Sequence, residues 1–198
     1  MRSISGILIL FTLTFFISCG GESQPQTTLP QGESATPDVT EVSASELFFE
    51  NLSSLCGESF TGESVFPDHP DHELVGVELR AVVESCSDEE IRVPFLAGED
   101  RSRTWVFSRS DRGVHLLHDH RYPDGTPHDL TNYGGYATDE GSEYAQYFAA
   151  DLLTEEMLPE AETNVWMVEI DPENGTLTYY LERHNEPRFR AELQRDSE

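Results

Sequence analysis

Thr104-Trp105-Val106-Phe107-Ser108 and Val114-His115-Leu116-Leu117-His118-Asp119-His120-Arg121, joined through Arg109-Ser110-Asp111-Arg112-Gly113, decide how the whole chain is read. Aromatic and β-branched residues fill the first segment and apolar residues recur through the second, so both read as strands. Ser110-Asp111-Arg112-Gly113 suits a type I turn with glycine in the left-handed position, the three-residue loop of an antiparallel hairpin. That loop sets Ser110 opposite Val114, Val106 opposite His118 and Thr104 opposite His120. Trp105 and Phe107 then share the expected core face with Leu117, and His118 and His120 fall on an outer, wetter face. A slip of one residue would exchange the two faces.

A period of two runs through much of the remaining chain. Over residues 74–84, Val75, Val77, Leu79, Ala81 and Val83 alternate with Gly76, Glu78, Arg80, Val82 and Glu84, the mark of a half-buried strand. Residues 58–66, 91–96, 164–170 and 176–183 also read as strands, the last two flanking the hairpin connection Asp171-Pro172-Glu173-Asn174-Gly175. The closing strand sends Phe189, Ala191 and Leu193 one way and Arg188, Arg190 and Glu192 the other. Two short helices are expected. One covers residues 44–52, with a capping box from Ser43 to Glu46; the other lies within 149–157, its boundary with a strand over 144–148 left open. Short antiparallel strands in such number need closure or a second sheet to hide their edges. The expected fold is mainly β, a single antiparallel up-and-down barrel; a β-sandwich is the alternative.

The chain begins with Arg2, an apolar run over residues 7–17 and then Phe16-Ile17-Ser18-Cys19. The run is too short for a spanning helix and has signal-peptide length. Its end resembles a bacterial lipobox, which implies that residues 1–18 are a lipoprotein signal peptide and that Cys19 is lipidated. Phe16 is bulkier than the residue usual at its place. Residues 19–41 lack aromatics and are rich in Gly, Ser, Thr, Gln and Pro, a tether; residues 42–198 are one domain's worth of chain. With Cys19 assigned to lipid, Cys56 and Cys86 form an even pair in an exported domain, most simply a disulfide. They meet if the flanking strands pair antiparallel around a turn at residues 67–71.

Thirty-eight acidic residues against 12 basic ones give a net charge of −26, and every basic residue is Arg. Without lysine there is no Schiff base, no P-loop and no Ser-Lys nucleophile pair. The balance also argues against nucleic acid and anionic headgroups as partners, since both call for positive patches.

Leu55-Cys56-Gly57-Glu58-Ser59-Phe60-Thr61-Gly62 resembles the Gly-x-aromatic opening of lipocalin-like barrels. Gly98-Glu99-Asp100-Arg101-Ser102-Arg103-Thr104-Trp105, His118-Asp119-His120-Arg121 with Asp124-Gly125, Tyr133-Gly134-Gly135, Asn164-Val165-Trp166 and Glu186-Pro187-Arg188-Phe189-Arg190 are together similar to an uncharacterised group of bacterial exported lipoproteins. The likeness covers roughly residues 55–193. It implies location and domain extent and brings no activity with it.

Four of the seven histidines lie between His115 and His128. His118 and His120, two apart on a strand, project to one side with Cα atoms roughly 6.5 Å apart, a spacing that suits one zinc or other divalent ion. A third ligand would come from His128, His69, His72 or a carboxylate such as Asp100. Exposed or hydrogen-bonded strand histidines are the blander account, and Asp119 between them faces the other way. No Gly-x-Ser-x-Gly elbow and no Cys-His pair occurs. Glu99, Asp100, Arg101 and Arg103 read as ion pairs at a strand end. Asp68-His69-Pro70-Asp71-His72 reads as a polar turn, and Tyr133-Gly134-Gly135-Tyr136 as a bend or bulge. The expectation is a lipid-anchored protein of the bacterial cell envelope, on a periplasmic or surface face, acting as a non-enzymatic binding or structural barrel. A metal-binding lipoprotein using His118 and His120, and a hydrolase with no nameable active site, are the alternatives. A pocket inside the barrel would favour a small ligand over a protein partner.

Overall fold

The computed structural model describes residues 42–66 and 72–197. Helix α1 (Ala44–Ser53) is followed by strands β1 (Ser59–Phe66), β2 (Leu79–Val82), β3 (Ser85–Cys86), β4 (Glu90–Ala97), β5 (Asp100–Ser110), β6 (Gly113–His120), β7 (Tyr133–Ala137) and β8 (Ala145–Ala150). Then come helix α2 (Leu152–Met157), a 3-10 turn at Pro159–Ala161, and β9 (Asn164–Asp171), β10 (Thr176–Arg183) and β11 (Glu186–Arg195). Neighbours pair antiparallel in chain order from β4 to β11; β11 pairs with β1, β1 with β2, and β2 with β4. That ring of ten strands closes, with β3 a short side pairing on β4. The fold is an up-and-down barrel rather than a sandwich, wider than the eight or so strands of a lipocalin.

Alternation fills the barrel. Ile91, Val93 and Phe95 on β4, Trp166, Val168 and Ile170 on β9, and Phe189, Ala191 and Leu193 on β11 all point inward and are buried. The core cluster runs from Phe48 to Leu193, so the described body contains its own core. Helix α1 completes it. Ser43 caps the helix by accepting from the Glu46 amide at 3.2 Å, while the Glu46 carboxylate turns to Arg109 Nε at 2.7 Å instead of closing the expected box. Phe48, Phe49 and Leu52 are at most 1% exposed, and the Phe48 ring meets Phe107 and Phe148 at centroid distances of 6.1 and 6.3 Å. The helix therefore closes the barrel end that carries the β5–β6 turn. Cys56, just before β1, is bonded to Cys86 on β3, with Cα atoms 6.2 Å apart.

Three expectations change. The strand expected over 74–84 starts only at Leu79, because Gly76 at φ +73° takes the backbone out of the extended region. Its alternation survives in buried Leu79, Ala81 and Val83. Tyr133-Gly134-Gly135-Tyr136 is not a bend but most of β7. A Cβ at Gly134 would land on the Leu116 carbonyl and one at Gly135 on the Ala149 carbonyl, so glycine admits the two neighbouring strands. The third change decides the site. Ser110 pairs with Gly113, not Val114, leaving a two-residue loop, although Gly113 keeps its left-handed φ of +97°. Trp105 then faces His118, and Arg103 faces His120. The reason is the hydrophobic pattern of β6. This register buries Val114 and Leu116 beside Trp105 and Phe107, whereas the expected one would bury His115 and Asp119 with only Leu117.

The signal segment, Cys19, the tether, the turn at 67–71 and His69 lie outside the described residues. Among the described residues no helix is long and apolar enough to cross a membrane.

Candidate functional site

Among the described residues no helix closes the end of the barrel opposite α1, here called the open end, and a cavity of about 200 Å³ lies in its mouth. Phe95 on β4, Trp105 on β5, Tyr133 on β7, Tyr179 on β10 and Phe189 on β11 form its walls, with His118, His120 and Arg103 among them. Strand alternation puts these side chains there: β5 and β6 lean the same faces inward, so Arg103, Trp105, His118 and His120 arrive together. Trp105 stacks on both Phe95 and Tyr179 with centroids 4.6 Å apart, while Phe95 and Tyr179 lie 6.1 Å apart with their planes tilted by 37°.

His118 is 4% exposed. Its Nδ1 lies 3.1 Å from the Tyr133 carbonyl, and its Nε2 lies 2.8 Å from Tyr179 Oη. Burial pushes the imidazole down to about 3, so it is neutral at pH 7. Burial likewise raises the Tyr133 phenol to about 12 and the Tyr179 phenol well above its ordinary value. His120 is lowered by burial and then by the neighbouring Arg103 charge; its Nε2 sits 3.2 Å from Tyr133 Oη. Apart from the Arg103–Glu73 ion pair at the rim, the polar lining is thus a set of uncharged hydrogen-bonding groups. At the rim, Arg103 is held by Asp100, an ion pair expected at this strand end, and also by Glu73 at 3.0 Å. His72 stacks on Phe189 at 5.4 Å.

A depressed histidine links the site to pH. The unfolded chain takes up a proton near the ordinary value of 6.5 that folded His118 refuses down to about 3. Stability is therefore full above that ordinary value and is lost as pH falls toward the folded one, at up to ~1.4 kcal/mol per pH unit. His118→Gln is expected to be less stable than wild type at pH 7, with the gap narrowing toward pH 4. Urea unfolding across that range measures it; a gap independent of pH would show that His118 titrates alike in both states.

The candidate metal residues are not brought together as one site. Both His118 nitrogens are engaged inside the barrel, and His120 turns its Nε2 to Tyr133. His128 sits half-buried beyond β6, with its ring 6.1 Å from that of His120 and 4.1 Å from that of Tyr122. Among the described residues no three His, Cys, Asp or Glu side chains are grouped to hold a metal ion. Sequence reasoning missed Tyr179 and Tyr133. Period two on 176–183 aligns Leu177, Tyr179 and Leu181, but only the true hairpin register brings His118 to them.

Asp119, as expected, points away from the histidines. It is 3% exposed on the barrel's outer side, where Arg92 Nη2 donates at 2.8 Å and Arg121 Nε at 2.9 Å. Burial raises its carboxyl, but the hydrogen bonds and charges of Arg121 and Arg92 more than offset this and hold it below the ordinary value. Its contribution is complete above the ordinary carboxylate range and fades as pH falls through the depressed value. Asp119→Asn is expected to cost about 1.5–3 kcal/mol at pH 7, in the range for hydrogen bonds to charged groups. Equal urea midpoints for variant and wild type at pH 7 would contradict that role. Compared with known proteins, the chain matches no family model, no curated protein and no solved structure.

Proposed function

We propose that this chain is a bacterial envelope lipoprotein, anchored through Cys19, whose barrel binds a small molecule without transforming it. The observation that carries the reading is the cavity at the open end. A barrel serving only as a scaffold has no need of a hollow lined by five aromatic rings and a buried His–Tyr pair. A chemical role finds less support: the hydroxyl beside His118 Nε2 is the Tyr179 phenol, and burial raises it well above its ordinary value, which makes it a poor nucleophile. The lipobox resemblance and the tether composition support the anchored location, and the extreme negative charge keeps the body off anionic surfaces.

Native mass spectrometry with metal analysis, on the chain from Gly20 onward purified without a histidine tag, tests the reading. A retained organic mass, displaced when Trp105 is changed to Ala, is the expected result. Stoichiometric metal lost in His118→Ala would transfer the function to metal binding. For the anchor, Cys19→Ala should either release the processed body from membranes in high salt or block signal processing, since the processed variant lacks a lipid chain that embeds by ~0.8 kcal/mol per CH₂. A processed variant that still fractionates with membranes would contradict the anchor.

A further inference from the structure

We infer that the open-end cavity takes a neutral aromatic molecule of one or two rings bearing a hydroxyl or a ring N–H, which donates its proton to Tyr179 Oη. The inference rests on the small-molecule reading above and names the ligand's chemistry.

The direction of each hydrogen bond follows from its partners. The Tyr133 carbonyl only accepts, so His118 Nδ1 carries the proton and donates to it at 3.1 Å. In a neutral imidazole the other nitrogen then only accepts. Tyr179 Oη, 2.8 Å from Nε2, is therefore the donor in that bond. Its one proton is committed, and the phenol presents itself to the cavity as an acceptor. That acceptor has no partner among the described residues, although Tyr179 is only 8% exposed. A desolvated acceptor without a donor is costly, so a ligand that supplies an O–H or N–H gains there what an ether or a plain hydrocarbon does not. His120 and Tyr133, paired at 3.2 Å, offer a second polar contact.

Shape and charge narrow the class further. The wall is a stack of flat rings, which suits a flat ligand in offset or edge contact. A cavity of about 200 Å³ is smaller than the roughly 300–1,000 Å³ of drug-sized sites, which limits the ligand to one or two rings. An anion meets a chain of net charge −26 and the carboxylates of Glu73 and Asp100, which already hold Arg103 at the cavity mouth. A cation would have to displace that same Arg103 from the mouth.

Isothermal titration on the chain from Gly20 onward, which contains the whole described core, tests this with phenol, indole, anisole, toluene, benzoate and benzylamine. Phenol and indole should bind, with phenol about tenfold tighter than anisole or toluene, the difference one well-made hydrogen bond provides. In the double variant His118→Leu with Tyr179→Phe, which removes the pair together and leaves no orphaned imidazole, that preference should vanish while toluene binding persists. The wild-type panel decides the matter even if the double variant fails to fold. Equal affinities for phenol, anisole and toluene would overturn the donor assignment and leave the small-molecule reading standing. Tighter binding of benzoate or benzylamine would overturn the neutral class. No binding by any of the six would overturn both.

Discussion

Phe48→Ala is expected to destabilise the protein by about 3–5 kcal/mol, the range for deleting a buried aromatic ring. Phe48 is fully buried and packs against both Phe107 and Phe148, which also touch each other at 5.8 Å, so its loss leaves a cavity between a helix and two strands. The barrel wall cannot collapse into that space, because its radius is set by ten hydrogen-bonded strands. The measurement is a shift in the urea midpoint at unchanged denaturant slope. A loss under 1 kcal/mol would mean that α1 rests on the barrel end rather than inside it.

Breaking the Cys56–Cys86 bond ranks beside it. The cysteines are 30 residues apart in sequence. On the chain-entropy argument a loop of that length contributes about 3–4 kcal/mol by restricting the unfolded state. For a domain of this size each kcal/mol is worth roughly 2–4 °C in Tm, so Cys56→Ser with Cys86→Ser should melt about 6–16 °C lower. The bond also ties the segment following α1 to β3, so its loss should loosen the closed end before the open one. Thermal melts with and without reductant read the effect. Two thiols that react with a blocking reagent in the unreduced, unfolded chain would remove the disulfide from the account.

Fold class was legible because alternation is strong where one face is buried. Residues 176–183, expected and found as a strand, and the inward set Phe189, Ala191 and Leu193 show this. β7 was hidden because glycines carry no alternation. Their role is visible only against the carbonyls of Leu116 and Ala149 on the neighbouring strands. The site was misplaced by one residue of register. Loop chemistry at Ser110–Gly113 favoured the bulged turn, and the competing signal was whether Val114 and Leu116 or Leu117 alone joined the tryptophan face. Counting apolar residues on each face of 114–120 would have given the answer. The turn glycine points to the other register, which sets the histidines outside. Tyr179 was illegible for a related reason, since a tyrosine becomes a hydrogen-bond partner only once a particular histidine faces it across the barrel.

The central claim is that the strand histidine His118 lies inside the barrel, neutral, donating from Nδ1 and accepting at Nε2. Histidine-ring ¹⁵N NMR across pH 7 to 4 measures tautomer and charge together. The expected spectrum has one ring, lost in His118→Gln, that keeps its Nδ1–H form throughout this range, because its folded pKa is near 3. If the signal lost in His118→Gln instead titrates near pH 6.5, or reports an Nε2–H tautomer, His118 faces water, and the cavity has neither its neutral lining nor its acceptor.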